Sequence, residues 1–326
     1  MSGEFALIAR HFARSPRDPD VHTGVGDDAA VLAPAPGLEL VLAVDMMVEG
    51  RHFVAGTDPS GLGHKILAVN LSDIAAMGAR PRWVLLAGAL PDDDERWLAA
   101  FARGLYALAD EHGVELVGGD TTRGPRALSL TIAGDVPTGA AILRRGARAG
   151  DDLWVSGTLG DAMLGLAALE GRTKLDADAR AACVARLERP TPRVALGVAL
   201  RGVASAMLDV SDGLTGDLGH LLEASGVGAV VDLAAIPRVA ALDAKLAGAE
   251  RELALRCLLA GGDDYELLFA APPSRRRDVE AAGVAGKVAV TRIGRLEAGA
   301  GLVVHDEARQ PLASLPRAFD HFAERA

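Results

Sequence analysis

The amino-acid sequence predicts an α/β (α+β) fold divided into two domains, and three observations support this. The chain has 326 residues, half of them hydrophobic, which exceeds the usual size of a single domain. Short apolar runs alternate with segments of helical periodicity. The stretch "DVPTGAAILRRGARAGDD", at 135–152, is rich in Pro, Gly and Arg and lies between two strand-like runs. We therefore expect domains at 1–140 and 148–326.

The individual elements follow from two periodicities. The segment "MSGEFALIARHFAR" predicts an amphipathic helix, with Phe5, Ile8 and Phe12 on one face. Apolar residues three or four positions apart predict further helices near 60–78, 94–112, 161–170, 177–187, 192–203, 213–225, 240–260 and 274–282. Short apolar runs predict strands at 39–44, 83–90, 127–133, 152–156, 206–210, 228–233, 265–270 and 288–293.

Charge and composition exclude several classes of protein. The formal net charge is −10 and the Lys and Arg residues are scattered, whereas nucleic-acid binding needs a basic stripe. No apolar run reaches membrane-spanning length, and the N-terminus lacks the features of a signal peptide. The only cysteines, Cys183 and Cys257, show no metal-type spacing and fit a reducing cytoplasm. We expect a cytoplasmic protein with no nucleic-acid or membrane partner.

The common catalytic signatures are also missing. The sequence contains no G-x-x-x-x-G-K-[ST] phosphate loop, no H-R-D and D-F-G kinase pair, no G-x-S-x-G elbow and no H-E-x-x-H zinc helix. The familiar nucleotide-binding and hydrolase architectures are therefore not the first choices.

Aspartates are the polar residues that recur beside glycines and at the edges of apolar segments. We expect them at strand ends or helix starts, where an α/β fold presents side chains to a ligand. The set consists of Asp27, Asp28, Asp45, Asp73, Asp120, Asp209, Asp212, Asp263 and Asp264. Any one of them alone is better explained as a turn or helix cap.

Gathered in one place, these carboxylates would repel one another. A pair about 4 Å apart costs roughly 4 kcal/mol at an effective dielectric of 20, so a cluster needs cations. Oxygen ligands without Cys or His select hard ions, and Mg²⁺ commonly shares its carboxylates with substrate phosphates. The set therefore predicts a site with several Mg²⁺ ions that binds a polyphosphate.

Nine motifs, in order and in register, resemble those of the thiamine-monophosphate kinases. They are "GEFALIARHF", "GVGDDAAVL", "VDMMVEGRHF", "AVNLSDIAAMGARP", "LVGGDTTRGP", "RPTPRV", "LDVSDGLTGDLGHL", "GGDDYELLF" and "AFDHF", and they span nearly the whole chain. This family shares a superfamily with aminoimidazole ribonucleotide synthetase and selenophosphate synthetase. The resemblance implies an N-terminal α/β domain with a dimeric β-barrel-like interface, a C-terminal α/β sandwich domain and a homodimer.

The resemblance also implies an activity, which is ATP-dependent phosphorylation of thiamine monophosphate to thiamine diphosphate by in-line transfer. It assigns the Mg²⁺ ligands to Asp27, Asp28, Asp45, Asp73, Asp120, Asp209 and Asp212. It assigns ATP contacts to Gly119, Asp120, Arg144 and Ser211, and thiamine contacts to His52, Asp263 and Phe319. The family commonly has hydroxyl residues where this chain has Ala43 and Val44, so one side-chain metal ligand is missing there.

No side-chain base is expected, because the acceptor phosphate has a second pKa of about 6 and is already mostly ionised at neutral pH. Two alternatives remain open. A sibling enzyme of the superfamily, such as aminoimidazole ribonucleotide synthetase, would use the same ATP and metal chemistry on another substrate. A non-catalytic dimer that binds Mg-nucleotide would use the same aspartates for regulation.

Overall fold

The structure is a computed structural model that describes residues 4–318 of the chain. The chain forms two compact units. The N-terminal unit comprises the residues up to 74 together with 79–141, and the C-terminal unit comprises 75–78 together with the residues from 142 onward. Within the described part, no helix is both long and apolar enough to cross a membrane.

The N-terminal unit is built around a four-stranded sheet. Its helices are α1 (Glu4–His11), α2 (Pro59–Ala76) and α3 (Glu95–His112). Its strands are β1 (Val21–Thr23), β2 (Val31–Leu32), β3 (Leu38–Val48), β4 (Arg80–Leu90), β5 (Glu115–Arg123) and β6 (Ala127–Pro137). The sheet has the order β3-β6-β4-β5, in which only β4 and β5 are parallel neighbours, while β1 and β2 form a separate pair.

The helices of this unit pack closely because their contact positions are small or apolar. A Cβ at Gly63 of α2 would lie 2.1 Å from the carbonyl oxygen of Phe101 of α3, so a larger residue would push the two helices apart. Ile66, Leu67 and Ile74 of α2 are fully buried. The side chain of Ile74 reaches Gly134 of β6, which seats α2 on the sheet.

Strand β3 forms one edge of the sheet and exposes an apolar surface. Leu40, Leu42, Val44 and Met46 alternate along the strand and are 48%, 67%, 61% and 58% exposed. We call these four residues the β3 apolar face. The intervening residues, which include Asp45, are more buried. An apolar edge strand of this length is unfavourable in water unless another chain covers it.

The C-terminal unit contains a six-stranded sheet. Its strands are β7 (Asp152–Ser156), β8 (Ala206–Val210), β9 (Gly228–Asp232), β10 (Glu266–Ala271), β11 (Val290–Glu297) and β12 (Gly301–His305). Its α-helices are α4 (Asp161–Leu169), α5 (Ala177–Glu188), α6 (Val194–Ala199), α7 (Leu214–Ser225), α8 (Ala240–Leu246), α9 (Arg251–Ala260) and α10 (Arg276–Ala285).

This sheet has the order β12-β9-β11-β7-β10-β8, and all neighbours are antiparallel except β12 and β9. Strands β7, β8 and β10 are buried along their whole length. Leu153, Leu208 and Leu268 lie on these strands and join one hydrophobic core with residues of the surrounding helices. The central strands therefore read as continuous apolar runs, as the sequence indicated.

The mixed α/β class with two units confirms the sequence prediction, and the described residues contain no closed barrel. Two details of the prediction were wrong. The single helix expected over 240–260 is two helices, since α8 ends at Leu246 and α9 begins at Arg251. Strands β1, β2, β5 and β12 were not predicted. The sequence of β5, "ELVGGDTTR", contains two glycines and lacks the alternation by which a strand is recognised.

Candidate functional site

Asp27 and Asp28 lie in the turn between β1 and β2. Both are exposed, and the Asp28 N–H donates to Asp27 Oδ1 at 2.8 Å. Asp27 also forms an isolated bridge with Val25. These contacts shape the turn through the backbone and hold the two adjacent carboxylates at the surface of the unit, where they can meet a ligand.

Three further aspartates lie inside elements, so the expectation that all would lie at strand ends or helix starts was wrong. Asp45 is in the middle of β3 opposite Leu130, and Asp120 is inside β5 opposite Ala87. Asp73 lies in the last turns of α2, half-buried in a stretch whose other residues, 71–76, are buried.

Gly119 precedes Asp120 and has a structural reason to be glycine. A Cβ at this position would lie 1.8 Å from the carbonyl oxygen of Leu86 on β4. The close approach of β5 to β4 therefore needs glycine whether or not ATP binds here. The same approach places Asp120 on an exposed part of β5.

His52 lies in the tight turn that follows β3. Its Nδ1 accepts a hydrogen bond from the Val48 backbone N–H at 3.0 Å. A neutral imidazole that accepts through Nδ1 carries its proton on Nε2, so this contact sets the tautomer. His52 is half-buried.

In the C-terminal unit, the loop after β8 is organised by Asp217, a residue that the sequence interpretation missed. Asp217 Oδ2 accepts the backbone N–H groups of Ser211, Asp212 and Gly213 at 3.0, 3.0 and 3.1 Å. Gly213 precedes α7 and supplies no side-chain cap of its own. The sequence carried a weak signal for this contact, since an acidic side chain in the first turn of a helix can satisfy the N–H groups before it.

The carboxylates of this unit are close enough to influence one another. Burial raises the pKa of Asp217 to about 7, and the negative charge of Asp209 adds to the increase. The hydrogen bond from the Asp212 N–H acts in the opposite direction, whereas the Asp212 carboxylate raises the pKa further. Asp209 and Asp217 are each 6% exposed. The structure thus concentrates negative charge at the end of β8, where a hard cation would compensate it.

The segment "GGDDY" before β10 meets this loop. The Asp263 backbone N–H donates to the Ser211 carbonyl at 2.9 Å, and the Tyr265 N–H donates to the Val210 carbonyl at 2.8 Å. A predicted ATP contact, Ser211, and a predicted thiamine contact, Asp263, are therefore neighbours. Asp264 is almost fully buried and accepts the Gly160 N–H at 2.7 Å, so it belongs to the scaffold.

Two predicted residues are not placed in this arrangement. Arg144 is exposed, and its backbone carbonyl accepts the Ser225 hydroxyl at 3.2 Å. Phe319 lies outside the described residues. Over residues 4–318, no group of three or more His, Cys, Asp or Glu side chains has a geometry that holds a metal ion. Asp27, Asp28, Asp45, Asp73 and Asp120 belong to the N-terminal unit, and Asp209 and Asp212 to the C-terminal unit.

Comparison with known proteins shows that both units match models of one protein family. Residues 26–136 match the family model of the AIR synthase related protein N-terminal domain, and residues 148–307 match that of its C-terminal domain. The chain is 45% identical to thiamine-monophosphate kinase of Salmonella typhimurium (strain LT2) over 98% of both chains. The corresponding protein of Escherichia coli (strain K12) is also 45% identical over 98% of both chains.

Two solved structures are similar over most of the chain. The crystal structure of thiamine-monophosphate kinase from Stenotrophomonas maltophilia K279a has a TM-score of 0.82 and 46% identity, and covers 88% of this chain and 92% of its own. AaThiL complexed with AMPPCP and TMP has a TM-score of 0.77 and 30% identity, and covers 89% of each chain.

Proposed function

The chain belongs to the thiamine-monophosphate kinase family of AIR synthase related proteins, and from this premise we propose that it phosphorylates thiamine monophosphate with ATP. The products are thiamine diphosphate and ADP. The observation that supports the proposal is the 45% identity to thiamine-monophosphate kinases over 98% of this chain and of each relative. A relative complexed with AMPPCP and TMP supports the same pair of substrates.

We infer that Mg²⁺ is the metal ion, because the candidate ligands are all carboxylates. Burial is the main reason that the pKa of Asp217 is raised, and the charges of Asp209 and Asp212 add to it. Negative charge that lies this close together is the physical reason to expect a compensating cation. All candidate donors are oxygens, which hard ions prefer. Asp27, Asp28, Asp45, Asp73, Asp120, Asp209 and Asp212 would hold the ions. Bound Mg²⁺ supplies charge neutralisation and stabilises the charge that spreads over the transferred phosphoryl group.

The covalent step needs no protein nucleophile. An ionised oxygen of the thiamine monophosphate phosphate attacks the γ-phosphorus of ATP and forms the new P–O bond. The bond from the γ-phosphorus to the bridging β,γ-oxygen breaks, and ADP leaves with that electron pair. Because the acceptor phosphate has a second pKa of about 6, no side-chain base has to remove a proton. The residues of the chain bind and align two polyanions.

Individual residues take roles that follow from their surroundings. We assign an ATP contact to Ser211, which lies in the loop whose backbone N–H groups Asp217 accepts. His52, with its proton on Nε2, and Asp263, held by the Ser211 carbonyl, are assigned to the thiamine moiety. Gly119 and Arg144 remain assigned to ATP, and Phe319 to thiamine.

The test is an assay of the purified chain with Mg-ATP and thiamine monophosphate, followed by phosphorus NMR. A new diphosphate that matches thiamine diphosphate, with ADP in equal amount, is the expected result. ADP release without thiamine diphosphate would favour a sibling enzyme of the superfamily. Binding of Mg-nucleotide without turnover would favour the regulatory alternative.

We also infer that the chain forms a homodimer through the β3 apolar face. The four exposed side chains, Leu40, Leu42, Val44 and Met46, lie on an edge strand whose outer edge pairs with no strand among residues 4–318. A second copy of the same strand offers a matching apolar surface around a two-fold axis. Such pairing would provide hydrogen-bond partners for the backbone groups of the strand edge and would remove the apolar side chains from water.

A further inference from the structure

The segment that carries Asp263 has an unusual backbone. Asp263 has a φ of 71° and Tyr265 a φ of 51°, both in the left-handed region. L-residues with a Cβ adopt this region rarely and at an energetic cost, and such residues concentrate at functional sites. Two of them within three positions of one segment need neighbours that hold the backbone in place.

Those neighbours come from both sides of the segment. The N–H groups of Asp263 and Tyr265 donate to the carbonyls of Ser211 and Val210, as described above. The buried Glu266 accepts from Arg186 at 2.7 Å and from Ser156 Oγ at 2.5 Å. The backbone that enters β10 is therefore fixed by groups of β7, α5 and the loop after β8.

The side chains of the segment divide into two kinds. Asp264 and Glu266 are buried at 1% and 0% exposure and serve as anchors. Asp263 and Tyr265 remain half-exposed, and they contact each other through a hydrogen bond from the Tyr265 hydroxyl to Asp263 Oδ1 at 3.1 Å.

We propose that Tyr265 is a positioning residue for recognition of the phosphate acceptor, because its hydroxyl orients the Asp263 carboxylate. This inference rests on the proposed function, in which Asp263 binds the thiamine moiety. A hydrogen bond from a phenol restrains the orientation of the carboxylate that accepts it. A neutral phenol also preserves the negative charge of Asp263, whereas Arg or Lys in the same place would neutralise it. A cationic thiazolium is attracted by that charge.

The decisive variant is Tyr265→Phe, which keeps the ring and removes the hydroxyl. We expect the KM for thiamine monophosphate to rise by about threefold to tenfold, while kcat and the KM for ATP stay within about twofold. The upper value corresponds to about 1.4 kcal/mol. In an Asp263→Asn background, the same change should add little, since the two side chains act as a pair.

The chain offers a matched control, because it contains only one other tyrosine. The Tyr106 hydroxyl donates to the Phe12 carbonyl at 2.6 Å in the N-terminal unit. Tyr106→Phe therefore also removes a tyrosine hydrogen bond, and it should leave the ratio of the two KM values unchanged.

Three results would overturn the inference. They are wild-type kinetics in Tyr265→Phe, equal increases in both KM values, and a lower melting temperature with no change in either KM. If the wild-type chain forms no thiamine diphosphate, the proposed function fails by itself. Calorimetric titration with thiamine monophosphate then decides the inference, which survives if Tyr265→Phe binds more weakly than wild type and fails if neither binds or both bind equally.

Discussion

Asp217 accepts the backbone N–H of Asp212 at 3.0 Å, so one carboxylate of the C-terminal unit holds the backbone of another. The same oxygen of Asp217 also accepts from Ser211 and Gly213. This loop carries two residues assigned to ATP and metal. Its conformation therefore depends on a side chain that need not touch either ligand.

We expect Asp217→Ala to lower the free energy of unfolding by about 2–4 kcal/mol, because it leaves three N–H groups without their acceptor. Asp217→Asn keeps an acceptor oxygen in the same place and should retain most of the stability. Urea unfolding of both variants measures the difference. Equal stability of the two variants would show that the loop does not depend on this acceptor.

The metal assignment predicts a common phenotype in both units. Asp28→Asn, Asp73→Asn, Asp120→Asn and Asp212→Asn should each remove most of the activity and leave the chain folded. Without added metal, stability should be unchanged or higher, because each change relieves repulsion. ADP release at saturating Mg²⁺ and thermal melts test both expectations.

Asp178→Asn, on the exposed first turn of α5, is the control that should behave as wild type. Near-normal turnover in all four variants would contradict the assignment.

The N-terminal unit contains a buried ionic network that should dominate its stability. Arg82, whose side chain is 11% exposed, donates to Asp18 and Asp20 at 2.7 Å each and to Asp135 at 2.6 Å. Arg82→Met should cost about 3–5 kcal/mol of unfolding free energy, because it leaves three carboxylates without their shared cation.

Arg80 provides the control for this prediction. It also contacts Asp135, at 3.2 Å, but its side chain is 61% exposed. Arg80→Met should therefore cost less than about 1 kcal/mol. Chemical unfolding of both variants gives the comparison, and similar losses from the two would mean that burial does not set the strength of this network.

The stability of the C-terminal unit should depend on acid pH through Asp152. Burial by itself raises the pKa of this carboxyl, but hydrogen bonds from Arg276 at 2.6 and 2.8 Å and from Arg292 at 3.2 Å outweigh it and lower the pKa overall. The pKa of Asp152 in the folded state therefore lies below its unfolded value of about 3.9. The ion pairs of Asp152 contribute their full stabilisation above the unfolded value, and this stabilisation is lost as pH falls through the folded pKa.

Asp152→Asn should therefore have a lower free energy of unfolding than wild type at neutral pH. The gap between the two free energies should narrow below about pH 4. Urea unfolding at several pH values from neutral to acid measures that gap. Asp278→Asn, which breaks the exposed pair with Arg275, should change stability by less than about 0.5 kcal/mol and serves as the control. A gap that stays constant with pH would show that the ion pairs do not stabilise the unit.

The dimer inference predicts that charge on the β3 apolar face separates two copies. Leu42→Glu and Val44→Glu should convert a dimer into a monomer, since each would bury a carboxylate in an apolar interface. Light scattering after size-exclusion chromatography measures the mass. Val284→Glu is the matched control, because Val284 is an 80% exposed apolar residue on α10. A wild-type chain that is monomeric at micromolar concentration would rule out the dimer.

Most of the fold could be predicted because its signals are local. The apolar runs of β7, β8 and β10 and the periodicity of α3 and α7 are contained in short windows of sequence, and the structure confirms each of them. The errors arose where local pattern is weak. In β5, the approach of β4 requires Gly119, and this glycine together with Gly118 removes the signal of a strand.

The sequence by itself determined most element types and the order of the aspartate motifs, because these depend on patterns along the chain, and the resemblance of nine motifs indicated the family. Only the tertiary structure decided which residues act together. Asp263 meets Ser211 because β10 pairs with β8. This contact depends on the pairing of two strands that are far apart along the chain, so no short window of sequence contains it.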